Sequence, residues 1–325
     1  MTDDGLTGDG VTAPDLTAPD LTAPDLTAPG RGSLAELRRA HLRGKHSALN
    51  VAHLVVTDTL LIAWFAIAYD RIPLGAYIPL SLVACVIHQR SMSEWIHEAA
   101  HYSLTGSRRG NDIVGNLLSG IWFALPVGVY RASHTAHHRA DGFFTDDDPE
   151  TVFLDVESRR AFRRAIIRDL VGGTMVIQYK RFRAEQSEGG GGLGLRLVFA
   201  ACLVGLLAGM WWLGRLDVIV LYYGSLITLY PLLNRLRTYV QHARLDPDGT
   251  VIVAGSEVSR TTNCGLMDRI LWTSPRLLFH DEHHQYPYLP WRALDALCEP
   301  STDVNRYTTR RWVVLRAIYR GLPAT

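Results

Sequence analysis

At 325 residues the chain has room for one large domain or two small ones, and its 33 basic and 32 acidic side chains leave a formal net charge of +1. That balance excludes a nucleic-acid binder, which needs a basic excess to neutralise phosphates. The four cysteines, Cys85, Cys202, Cys264 and Cys298, form no C-x-x-C pair, so neither a zinc ribbon nor an iron–sulfur cluster is encoded, and buried thiols are expected rather than disulfides.

Residues 1–32 hold three tandem copies of Thr-Ala-Pro-Asp-Leu, starting at Thr12, Thr17 and Thr22, and a truncated copy at Thr27. Regular prolines and few bulky apolar side chains give nothing to bury, so a disordered tail is expected, and its acidic character predicts no cleavable secretory signal. Residues 33–325 are then expected to form one membrane-embedded domain.

Apolar stretches follow at 51–69 and at about 72–89, separated by Asp70 and Arg71, and a second pair lies at 197–213 and 216–233 around Gly214 and Arg215. A helix over the first stretch is about 28 Å long, close to the roughly 30 Å hydrocarbon thickness of a bilayer. Four such segments in two closely spaced pairs predict an all-α membrane protein of two helical hairpins. Residues 113–130 are also uncharged but broken by Gly115, Gly120, Pro126 and Gly128, and are expected as a re-entrant or interfacial segment. Arg38, Arg39, Arg43 and Lys45 precede the first span, Arg163, Arg164, Lys180, Arg181 and Arg183 precede the third, and Arg235 and Arg237 follow the fourth. The positive-inside rule therefore puts both termini and the middle segment in the cytoplasm, with a helical cap on that side.

Thirteen histidines are present, eight of them in three tight groups on the side predicted to be cytoplasmic. The first, His97-Glu98-Ala99-Ala100-His101, puts two imidazoles one helical turn apart on a helix leaving the second span. The second, His134-Thr135-Ala136-His137-His138, and the third, His280-Asp281-Glu282-His283-His284, share an H-x-x-H-H pattern, and each is expected to turn up to three nitrogens toward one shared site. Imidazole suits iron, copper and zinc alike, but eight histidines exceed what one tetrahedral zinc accepts and indicate a two-metal centre. A helix continuing past the fourth span would carry His242 toward the same place. His41, His46 and His53 are expected at the interface, and His88 in a packing or supporting role. Asp146, Asp147, Asp148, Asp281 and Glu282 could orient imidazole N–H groups.

With these three boxes in this order and at this distance from the spans, residues 50–295 resemble the membrane fatty acid desaturase and hydroxylase superfamily. Asp147-Asp148-Pro149-Glu150 after the second box, Arg260-Thr261-Thr262 ahead of the third and Tyr286-Pro287-x-x-Pro290-Trp291 behind it belong to the likeness, while the acidic residue usual before the additional histidine is Gln241 here. The resemblance implies two non-heme irons held by His97, His101, His134, His137, His138, His242, His280, His283 and His284. It also implies O2 as co-substrate and desaturation of an aliphatic C–C bond in a fatty acyl or lipid-like substrate.

No heme, flavin or iron–sulfur signature is encoded, so electrons are expected from an external ferredoxin, rubredoxin-like or cytochrome donor. The basic stretch 159–183 serves either as its docking face or as a membrane anchor. The same scaffold also serves hydroxylases, ketolases and desaturases of specialised metabolites, and fold and metal do not choose between products. A reading from another class is a zinc-binding membrane transporter or sensor. Ligands clustered outside the bilayer core, rather than polar groups at mid-membrane, weigh against transport.

Overall fold

A computed structural model of the chain describes residues 31–42, 45–140, 142–146, 148–149, 157–180, 193–263, 265–266, 269 and 277–324. The repeat tail over 1–30 lies outside the described residues, as do Asp147, Glu150, Arg181, Arg183 and Cys264. The first helix, α1 (Arg31–Leu42), begins inside the last two positions assigned to that tail.

Apolar residues run all round α2 (Lys45–Ala68) and the first half of α3 (Leu74–Ala100), and a short turn at Asp70–Pro73 folds them into the expected hairpin. Leu54, Leu61 and Phe65 face inward, while Val55, Val56, Leu60, Ile62 and Ile67 stand exposed. An apolar outer face of that extent belongs in lipid or against a partner rather than in water. α3 turns polar from His88 onward and runs on to Ala100, as a helix leaving the bilayer toward the first histidine box would.

The second pair comprises α7 (Leu193–Trp212), then α8 (Leu216–Ile227) and α9 (Leu229–His242). The fourth expected span, 216–233, is thus interrupted at Thr228. Pro231 has no N–H to donate to the Ile227 carbonyl four residues back, so the helical ladder lapses there and restarts. Among the described residues two segments are long and apolar enough to cross a membrane, Lys45–Ala68 and the α8–α9 rod Leu216–His242, and Ala200–Trp212 is apolar but shorter.

Residues 113–130 are broken as expected, into α4 (Arg108–Leu118), a 3-10 turn (Gly120–Phe123) and α5 (Val127–Arg139). Two glycines permit this segment to lie close to its neighbours. A Cβ on Gly115 would stand 2.6 Å from the Ala99 Cβ and 2.9 Å from Val127 Cγ2, and one on Gly120 would stand 2.5 Å from the Leu125 carbonyl.

α3 is the central rod, packed by α2, α4, α5, α8 and α9. Leu54, Phe65, Tyr77, Trp95, Trp122 and Tyr222 form the core around it. A second core joins α6 (Arg159–Leu170) and α9 to the C-terminal α12 (Arg311–Gly321) through Phe162, Tyr239, Val314 and Ile318. A third lays Leu34 of α1 over Leu278 and Phe279 and over Leu294 of the short α11 (Trp291–Leu294), so that α10 (His280–Gln285) is bracketed from both sides.

The all-α expectation needs one correction. Past His242 the chain pairs β1 (Arg244–Leu245) antiparallel with β2 (Val251–Ile252), in the register Arg244↔Ile252, and β3 (Thr261–Thr262) parallel with β4 (Tyr307–Thr308). Val251–Ile252 and Thr261–Thr262 are β-branched and favour extended backbone, and the β3–β4 pairing ties the segment after α9 to the C-terminal region.

Candidate metal centre

The three boxes and His242 converge from four helices. His97 sits in the last turn of α3 and His101 at its C-cap, while His134, His137 and His138 line α5. His242 ends α9, and His280, His283 and His284 occupy α10. They form two adjacent groups, His97, His101, His134, His138 and His283 in one and His137, His242 and His284 in the other, each ring offering one nitrogen that lies within 4.8 Å of those of its group. His280 joins the second, its Nε2 2.9 Å from His242 Nε2 and 3.2 Å from His284 Nε2. The groups touch: the His138 and His284 rings are 4.4 Å apart.

This partition differs from the expectation that each box serves one site. His134 and His138 lie four residues apart on one face of α5, but His137 is rotated about 100° from His138 and turns to the other group. The third box divides likewise, His283 to the first group and His284 to the second. Each H-x-x-H-H pattern therefore straddles both sites.

Bonds at the far ring nitrogens set the orientation of two rings. His137 Nδ1 lies 2.9 Å from Asp148 Oδ1, and Asp148 Oδ2 accepts from the Phe144 N–H at 2.7 Å. His242 Nδ1 lies 3.0 Å from the Val258 carbonyl. A carbonyl only accepts, so His242 carries its proton on Nδ1 and presents the Nε2 lone pair inward. Of the acids expected in this role, Asp148 fills it. Asp281 instead binds Ser259 (2.8 Å) and Arg306 (3.5 Å), Glu282 accepts from the Thr261 hydroxyl, and Asp146 is exposed.

The electrostatics suit a cation. Burial, and after it the neighbouring imidazoles, push His101, His134, His138, His283 and His284 well below the ordinary imidazole range, so these rings are neutral at pH 7. Both ring nitrogens of His97, Nε2 of His101 and Nδ1 of His134 and His280 are buried without a hydrogen-bond partner among the described residues. Buried polar atoms left in that state are costly; each neutral ring has one lone pair, and a metal ion accepting it from His97 and from His101 Nε2 would remove part of that cost. The donor set, nine imidazoles in two touching groups, fits a pair of transition-metal ions such as iron.

Aromatic side chains that the histidine spacing gave no hint of close the second group. Phe144 adopts a left-handed backbone (φ 70°), held by the bond from its N–H to Asp148, and this turns Phe143 onto the His242 ring at 4.1 Å between centroids and onto His284 at 4.9 Å. Phe143, half-buried, thus covers one side of the second group.

The other four histidines stay apart. His41 bonds the Leu37 carbonyl and stacks near His46 at 5.3 Å, His53 packs on Trp95, and His88 is clasped between Asp58 (2.9 Å) and Tyr222 (3.0 Å) inside the bundle.

A helical chain that carries membrane-length apolar segments and gathers nine imidazoles into two touching groups defines a polyhistidine protein whose site could hold metal ions. The family model for fatty acid desaturases matches residues 73–305, and the chain belongs to that family, a membrane-bound group of oxidoreductases. It is also similar to dihydrorhizobitoxine desaturase of Bradyrhizobium elkanii, with 23% identity over 274 residues that cover 79% of this chain and 75% of the relative. Both comparisons support desaturase-type activity.

Proposed function

We propose that the chain is an integral-membrane di-iron desaturase that uses O2 to oxidise an aliphatic C–C bond of a fatty acyl or lipid-like substrate to an alkene. In this reading His97, His101, His134, His138 and His283 hold one iron and His137, His242, His280 and His284 the other. The observation that carries it is the convergence of nine imidazoles from four helices into two touching groups. When bound, a pair of irons supplies the O2-dependent removal of hydrogen from an unactivated carbon.

The chain's own residues hold and shield that centre. Asp148 and the Val258 carbonyl orient His137 and His242, which keeps each Nε2 lone pair directed inward. Phe143 and the packed helices exclude water, which favours attack on a positioned C–H bond over side reactions. Four spans, with both termini and the histidines on the cytoplasmic side, accord with the basic residues flanking the apolar segments. An external ferredoxin, rubredoxin-like or cytochrome donor supplies electrons. The relative's name supports a second reading, a desaturase of a specialised metabolite on the same scaffold.

Metal analysis of the purified protein tests the assignment. About two irons per chain are expected, and one zinc with no iron would point instead to a zinc-binding membrane protein.

A further inference from the structure

A layer of buried polar side chains lies between the histidines and the apolar core. Arg90, one turn before Glu94 on α3, donates to Glu94 Oε1 at 3.1 Å and to Asn234 Oδ1 of α9 at 3.3 Å. Arg237 of α9 donates to the same Asn234 Oδ1 at 3.1 and 2.9 Å, to Gln241 Oε1 at 2.6 Å and to the Thr238 hydroxyl at 3.5 Å. Arg237 is 9% exposed, and among the described residues each of these acceptors is neutral. An acid at position 241 would have balanced the guanidinium, and a glutamine does not. A cation removed from water without a counter-charge is unfavourable, so the site is built for an anion that arrives from elsewhere.

Its place identifies that anion. Arg237 stands five positions before His242 on the same helix, about 7.5 Å along its axis. Its field reaches His97, His242 and His280, one from the first histidine group and two from the second. A group bound there sits close to both histidine groups.

We propose that Arg237, with Asn234 and Gln241, binds the carboxylate of the substrate, so that the substrate is a short organic acid oxidised a few atoms from its charged end. This keeps the proposed desaturation but favours its second reading, a specialised metabolite, over a fatty acyl chain, and it rests on the histidine centre being the site of reaction. Arg237 is a binding and positioning residue: its guanidinium donates two N–H bonds to the carboxylate, and the side-chain amides of Asn234 and Gln241 can turn their NH2 groups to the same anion.

Binding of hexanoate and of the isosteric neutral hexanamide to the purified full-length protein, by calorimetry in detergent, tests the site, with iron content measured separately on each sample. The wild-type protein is expected to prefer hexanoate at least tenfold. Arg237→Gln and Gln241→Glu are each expected to abolish that preference, the first by removing the cation and the second by supplying an internal counter-charge. Should Arg237→Gln not fold, Gln241→Glu decides. Equal binding of the two probes by the wild type, or an undiminished preference in Gln241→Glu, would overturn the proposal. An iron-free protein that still prefers hexanoate would uphold the anion site while sinking the di-iron reading.

Discussion

The two histidine groups are built by different means. In the group of His137, His242, His280 and His284, two rings are fixed by hydrogen bonds to Asp148 and the Val258 carbonyl. In the group of His97, His101, His134, His138 and His283, ring nitrogens of the first three stand unbonded, and the helices that carry them set their positions through packing. Similar ligand constellations can thus rest on a hydrogen-bonded support or on a close-packed one, and each should fail in its own way.

The largest expected effect comes from His137→Ala, which removes a ligand where the two groups meet. Iron and turnover should both be lost while the protein still inserts in membranes, and full iron occupancy with turnover in that variant would contradict its assignment. Asp148→Asn keeps an acceptor but removes the charge behind His137, so metal affinity of the second group should fall by about 10- to 100-fold. Read by iron content after mild chelation, this variant should drop from about two irons toward one, and retention of both would break the distinction drawn above. Gly115→Val attacks the packed support, because the added side chain meets Ala99 and Val127 at the seam of α3, α4 and α5. Overpacking of this kind costs about 1–3 kcal/mol. The melting temperature should therefore fall by several degrees, with the first group losing metal before the second.

Much of the histidine cluster was legible in the sequence because its members fall in short boxes with recognisable helical spacing. The nine histidines named from the boxes and the fourth span are the nine that converge, and the hairpin α2–α3 lies where its apolar runs lie. What was illegible depends on rotation and on long-range contacts. The division of each H-x-x-H-H box between two sites follows from the 100° step between adjacent helical residues, which places His137 and His138 on different faces. The choice of Asp148 over Asp281 as the partner of an imidazole is set by loop geometry, since both are acids near a box. The break at Thr228 could have been anticipated from Pro231. The clasp of His88 by Asp58 and Tyr222 could not, because its members are up to 164 positions apart in the chain by residue number (222 − 58).

Arg260, fully buried, draws together parts of the chain made at different times. Its guanidinium donates to the Val240 and Ala243 carbonyls at the end of α9, to Asn305 Oδ1 at 2.9 Å and to the Val304 carbonyl. The carbonyls flanking His242 are therefore fully secured only once residues 304 and 305 have been synthesised and folded back. Metal loading of the second group should accordingly be a late event in biogenesis, after the apolar hairpins have entered the bilayer, and a nascent chain stalled before residue 304 would be membrane-inserted yet unable to mature.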